Sequence, residues 1–243
     1  MVIFNRFFLI ISFLSAMGAT QAQQSKSTGW SAIVNTIRIG KKSQLIMDAQ
    51  VRSADHWSKA ETFIMRPGIS YSINAKTAIS IGIALVSNRR TVSGITDFVS
   101  DNRLWQQFLT NQQLGQNPLQ HRIRLEERMA PTIYAVGAEL KKRDPHFNAR
   151  LRYFNRYASS FHKGVSLTKG PYWVIQNEFF FNTAGLQYVN RKLLDQTRTY
   201  VGTGWRISAK ADVELGYMLQ HIVGVGKAYT NNHILQLTSF LRL

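Results

Sequence analysis

Along most of this chain, apolar and polar residues alternate with period 2 in segments of about ten residues, the signature of half-buried β-strands. Phe63, Met65, Pro67, Ile69, Tyr71 and Ile73 make one face of a segment; Ile64, Arg66, Gly68, Ser70, Ser72 and Asn74 make the other. Ile79, Ile81, Ile83 and Leu85 repeat the pattern against Ser80, Gly82 and Ala84. Thr199, Val201, Thr203, Trp205 and Ile207 oppose Arg198, Tyr200, Gly202, Gly204 and Arg206, and Val213, Leu215, Tyr217 and Leu219 oppose Glu214, Gly216, Met218 and Gln220. Eleven such segments fall near 30–39, 44–53, 61–74, 78–88, 102–114, 119–130, 146–160, 172–182, 197–208, 211–223 and 232–243. Pro67 donates no ladder bond and predicts a bulge or an edge-like position.

The connections carry a second pattern. Short ones, at 40–43, 75–77, 115–118 and 209–210, alternate with longer ones at 54–60, 89–101, 131–145, 183–196 and 224–231, apart from a middling turn at 161–171. Outer-membrane barrels have short periplasmic turns and longer outward loops, whereas a soluble sandwich has no reason for that alternation. Tyrosine, phenylalanine and tryptophan recur near strand ends, as interfacial girdles require. The expected fold is all-β: an antiparallel transmembrane β-barrel of about 10–12 strands, in one domain over 23–243. Single-chain bacterial barrels usually have an even strand number. Eleven segments therefore imply one misassigned segment, or a further strand within 89–101 or 131–145.

Residues 1–22 read as a cleavable signal peptide. Asn5-Arg6 precedes a compact apolar run from Phe7 to Met17, and Thr20-Gln21-Ala22 offers small residues before the cut. The run is too short to span hydrocarbon, which takes roughly 20 residues. No later stretch is long and apolar enough for a membrane helix. The expected location is the bacterial outer membrane.

Composition narrows the chemistry. The chain lacks cysteine, which excludes disulfides, thiolate metal sites and a cysteine nucleophile. Thirty lysines and arginines stand against 13 acids, a net charge of +17, or +16 once Arg6 is removed. If apolar faces meet lipid, the other faces line the barrel interior. That places Arg66, Arg122, Arg124, Glu126, Arg128, Arg150, Arg152, Glu178, Arg198, Arg206 and Glu214 inside. Two roles follow. Arginine forks and carboxylates pair in networks that fill a narrow barrel. Alternatively the arginine surplus lines a porin-like, narrow anion-preferring channel open to small anionic solutes.

The ordered motifs are Arg66-Pro67-Gly68-x-x-Tyr71, Arg103-x-Trp105-Gln106-Gln107, His121-Arg122-x-Arg124-x-Glu126-x-Arg128, Arg150-x-Arg152-Tyr153, Asn177-Glu178-x-Phe180, Asp195-Gln196-x-Arg198 and Glu214-x-Gly216-Tyr217-x-x-Gln220. In this order and spacing the chain resembles, over about 30–243, the family known as domain of unknown function 2490. The resemblance implies an exported outer-membrane-type barrel of a kind common in Bacteroidetes. It implies no established activity, so no catalytic residue is carried over.

The remaining charge lies in Lys41-Lys42, Lys59, Arg89-Arg90, Lys141-Lys142-Arg143, Lys163, Lys169, Arg191-Lys192 and Lys227. Such residues suit contact with outer-membrane lipid and lipopolysaccharide. Export argues against nucleic acid as the partner. A rim enzyme of protease or lipase type is the alternative. His56, His146, His221 and His233 fall near the outer rim, with Asp55, Asp97, Asp101 and Asp144 in outward loops. No nucleophile elbow, cofactor loop or metal-spaced histidine pair accompanies them, which weighs against an enzyme.

Overall fold

The computed structural model describes residues 23–54, 56–162 and 167–243. The leader at 1–22, Asp55 and Lys163 lie outside the described residues. Twelve strands run β1 Gln23–Arg38, β2 Ser43–Ala54, β3 Lys59–Ser72, β4 Thr77–Val92, β5 Ile95–Ser100, β6 Arg103–Leu114, β7 Asn117–Val136, β8 Glu139–Ser160, β9 Gly170–Ala184, β10 Leu194–Ser208, β11 Ala211–Val223 and β12 Tyr229–Arg242. A single 3₁₀ turn, Leu186–Tyr188, lies between β9 and β10.

The sheet closes on itself. The order is β3-β2-β1-β12-β11-β10-β9-β8-β7-β6-β4, and β3 pairs back onto β4. Eleven strands therefore form the ring, and β5 lies on the same edge of β4 as β6. Ser87–Val92 of β4 pairs with β5, whereas Thr77–Ala84 pairs with β6. β5 and β6 thus make one kinked stave, broken at Asp101-Asn102. The strand hidden in 89–101 exists, yet the ring stays odd. Its neighbouring pairs are antiparallel except at the seam, where β1 and β12 run parallel over fourteen registered pairs, from Gln23↔Tyr229 to Thr36↔Arg242. An odd ring of alternating strands can close only through such a pair, so the expectation of a wholly antiparallel barrel is corrected here.

Two expected long loops are also corrected. Residues 89–101 and 131–145 are extended hairpins, not irregular connections. Ser93 and Gly94 both have positive φ (51° and 82°) and turn β4 into β5 in two residues, the conformation that matches strand twist. β7 and β8 span 20 and 22 residues and pair out to Val136↔Glu139.

Alternation sorts the side chains cleanly. Ile33, Ile69, Ile81, Val201 and Leu215 are each about half exposed on the outer face, whereas Trp105, Tyr172, Phe180, Tyr200 and Ile234 are buried inside. The exterior is thus the apolar side, the reverse of a soluble sheet. Aromatic residues mark both borders of that surface. Tyr71, Tyr157, Trp173 and Trp205 lie near the short-turn mouth, with Tyr157 and Trp173 rings 5.6 Å apart. Tyr188, stacked on His146 at 4.1 Å, and Tyr229, beside His221 at 5.2 Å, lie near the other mouth.

At Pro67 the ladder to β4 is interrupted, the edge-like of the two expected alternatives. No bulge forms: the β3–β4 register runs Met65↔Leu85 and resumes at Gly68↔Gly82 unchanged, skipping only Arg66 and Pro67. Beside that gap the Trp105 indole N–H donates to the Ile83 carbonyl at 3.0 Å. An interior side chain supplies a donor where proline cannot. The Trp105 ring lies over Gly68 and Gly82, where any Cβ would collide with it. Tyr200 covers Gly202 and Gly216 in the same manner.

Candidate functional site

Of the eleven residues expected inside, Arg66, Arg124, Glu126, Arg152, Glu178 and Glu214 are buried and Arg122, Arg128, Arg150, Arg198 and Arg206 are half-buried, and most are joined through shared carboxylates. Glu126 on β7 is 1% exposed and accepts from Arg103 at 3.3 Å, from Arg150 at 2.9 Å and from Arg152. Glu178 on β9 accepts from Arg122 at 2.7 Å, Arg152 at 2.6 Å and Arg198 at 3.5 Å. Arg152 therefore ties the two glutamates together across β7, β8 and β9. Three of these guanidinium groups, of Arg150, Arg152 and Arg198, also pack around the Phe180 ring at 4.6–4.9 Å. The ring offers its electron-rich face where no further carboxylate is present. Nearer the short-turn mouth, Arg156 and the Tyr172 hydroxyl both bond Glu214, and Arg206 and Arg242 grip Asp212, each at 2.8 Å.

Asp48, Arg52, Asp101, Arg103, Arg156, Asp195, Asp212 and Arg242 belong to the same interior and were not assigned there from the sequence. Most follow from continuing a parity already read: Asp48 and Arg52 alternate with Leu45, Met47, Ala49 and Val51, and Arg156 continues Arg150 and Arg152. Asp101 corrects an expectation. It is no outward-loop residue but sits buried at the β5–β6 break, 2.9 Å from both Arg103 and Arg128. Asp195, expected within a long loop, opens β10 and meets Arg150 at 2.8 Å.

Arg124 behaves unlike its neighbours. Its Nε and Nη2 donate to Gln107 Oε1 at 3.0 and 2.7 Å, and its guanidinium lies 4.6 Å from the Trp105 ring centroid. It contacts neither Glu126 nor Glu178 among the described ion pairs, although β-parity suggests it would. Arg52 is similar: it donates to Gln50 Oε1 at 2.7 Å and stacks 3.8 Å from the Trp30 ring. Gln50 in turn donates to both oxygens of Asp48 at 2.9 and 3.0 Å, and Asp48 is paired with Arg66.

Space remains inside. A vestibule of about 520 Å³ reaches the short-turn mouth at Gln116, Leu167 and Arg242. It shares Asp48, Arg66, Arg122 and Arg124 with an inner chamber of about 140 Å³, which extends to Trp30, Arg52 and Arg198. Towards the long-hairpin mouth the filling becomes a layer of neutral amides. Thr28 donates to Asn232, Asn232 to Gln220 and Gln220 to Gln196, at 3.1, 3.3 and 2.7 Å. Asn190 donates to the Leu194 and Val223 carbonyls at 2.9 Å and tethers the β9–β10 connection over this mouth.

Three of the four expected rim histidines have neutral partners. His146 bonds Thr132 at 3.1 Å, His221 bonds Asn231 at 2.8 Å and His233 bonds the Tyr217 hydroxyl at 2.7 Å. Among the described residues no histidine forms an ion pair with an aspartate, and no group of three potential metal ligands gathers.

A closed barrel with this ordered set of inward arginines and glutamates can be compared with known families. The model of the protein family of unknown function DUF2490 matches residues 27–231. The chain belongs to the DUF2490 family. The match spans the ring from β1 into the start of β12, so the family pattern is the barrel itself and not an appendage. No curated protein and no solved structure matches this DUF2490 chain.

Proposed function

We propose that this DUF2490 protein is an integral outer-membrane barrel, exported by a cleavable leader at 1–22, whose interior is closed by its ion pairs and not held open as a pore. The observation that carries this reading is Arg152, 5% exposed, which bridges Glu126 and Glu178 in mid-barrel and so joins seven charged side chains from five strands. Opening a pathway there means separating buried charges, and breaking a buried pair costs roughly 3–5 kcal/mol. The apolar exterior and its aromatic borders support a lipid surround. The ring strands are 12 residues or longer, enough for the 9–11 residues a tilted membrane strand needs.

In this reading the short turns face the periplasm and the long hairpins face outward. Arg89, Arg90, Lys141, Lys142 and Arg143 then meet anionic lipopolysaccharide, each contributing about 1 kcal/mol near such a surface. The test is planar-bilayer recording of the refolded chain in a salt gradient. A folded, heat-modifiable barrel that stays silent is expected; stable anion-selective openings would replace the closed barrel with a channel. Protease cleavage at 75–77 or 209–210 on intact cells would invert the orientation.

A further inference from the structure

We propose that the inner chamber is a binding site for a small doubly charged oxyanion of the phosphate class, held between Arg52 and Arg124. The chamber of about 140 Å³ is lined by six guanidinium groups, those of Arg52, Arg66, Arg122, Arg124, Arg152 and Arg198, against two carboxylates, Asp48 and Glu178. Four of the six are answered: Arg66 by Asp48, and Arg122, Arg152 and Arg198 by Glu178. Among the described ion pairs Arg52 and Arg124 have no carboxylate: they have the carbonyl oxygens of Gln50 and Gln107 and the ring faces of Trp30 and Trp105. A neutral amide orients a guanidinium but does not cancel its charge, and an unneutralised buried charge is costly. The Nε groups of Arg122 and Arg198 are also buried without an acceptor. Surplus charge and unused donors thus belong to side chains that line one interior space.

The geometry selects the ligand class. Planar forks suit the oxygens of phosphate and present more donors than a halide can use. Six guanidinium groups against two carboxylates leave the lining with a surplus of positive charge, which a dianion offsets better than a monoanion. The chamber's size admits a free oxyanion and excludes a nucleotide or a sugar phosphate. Access runs through the vestibule from the short-turn mouth, past Arg156, Arg206 and Arg242, three guanidinium groups against the carboxylates of Glu214 and Asp212. The hydrogen-bonded amides of Gln196, Gln220 and Asn232 lie further along β10, β11 and β12 towards the long-hairpin mouth.

This inference rests on the closed-barrel reading, and the two fail separately. Titration calorimetry of the refolded chain in detergent with inorganic phosphate, against chloride at equal ionic strength, is the test. Saturable binding is expected with phosphate and not with chloride, with sulfate as a competitor. Arg52→Gln and Arg124→Gln should each weaken phosphate by about tenfold or more while leaving the barrel heat-modifiable. No saturable heat at about 10 mM phosphate, a concentration that detects even millimolar affinity, overturns the site. Binding unaltered in both variants overturns it equally, by placing the anion elsewhere. The wild-type titration decides the matter if either variant fails to fold. Conductance overturns the closed barrel alone; absent binding to a silent barrel overturns the pocket alone.

Discussion

Glu126 and Arg124 stand two residues apart on one strand and point into the same interior, yet their removal should have opposite weight. Glu126 answers three guanidinium groups, and Glu126→Ala leaves Arg103, Arg150 and Arg152 crowded around a void. The expected cost is about 3–5 kcal/mol, read from urea unfolding in detergent without added phosphate. Arg124→Ala leaves only the Gln107 amide and the Trp105 face behind. It strands no carboxylate and relieves a surplus, so its cost should be well below that of Glu126→Ala. Equal losses would mean that charge balance does not govern the interior. Parity alone placed Arg122, Glu126, Arg152 and Glu178 inside, because a strand's two faces are fixed by its period. Their partners are a different matter. Which arginine meets which glutamate depends on cross-strand register and barrel curvature, and no local pattern encodes either.

Among elements, β3 and β4 are the sharpest case. Gly82 faces the Pro67 carbonyl and the Trp105 ring, and a Cβ there would collide with both. Gly82→Ala should therefore destabilise the barrel by about 1–3 kcal/mol. Gly40→Ala, where the nearest atom lies at an ordinary 3.8 Å, should stay within about 0.5 kcal/mol. Adding Trp105→Leu should not rescue Gly82→Ala, because the Pro67 carbonyl remains; full rescue in thermal unfolding would assign the clash to the ring alone. The strands of the ring were legible because one face of each is apolar and the other packed. The outer halves of the β4–β5 and β7–β8 hairpins were not. Beyond the ring both faces of a hairpin meet solvent, so Arg89-Arg90 and Lys141-Lys142-Arg143 obey no alternation and read as loops. Asp101 was misplaced for the same reason, since it sits at the break inside one such stretch.

For the whole molecule, the odd ring is decisive. With eleven strands the two described ends lie at opposite mouths, Gln23 beside Tyr229 and Arg242 near the short turns. If the barrel spans the outer membrane as proposed, epitopes placed at residue 23 and after residue 243 should be labelled from opposite sides. Labelling of both from one side would break the parallel seam between β1 and β12. In the proposed orientation, with the proposed leader removed there, the carboxyl end stays in the periplasm while the start of β1 belongs outside. The seam cannot zip until that newly cut end has travelled outward. Closing the ring and carrying the amino end across the membrane are then one event, and a bulky folded cargo fused at residue 23 would leave the barrel unable to finish.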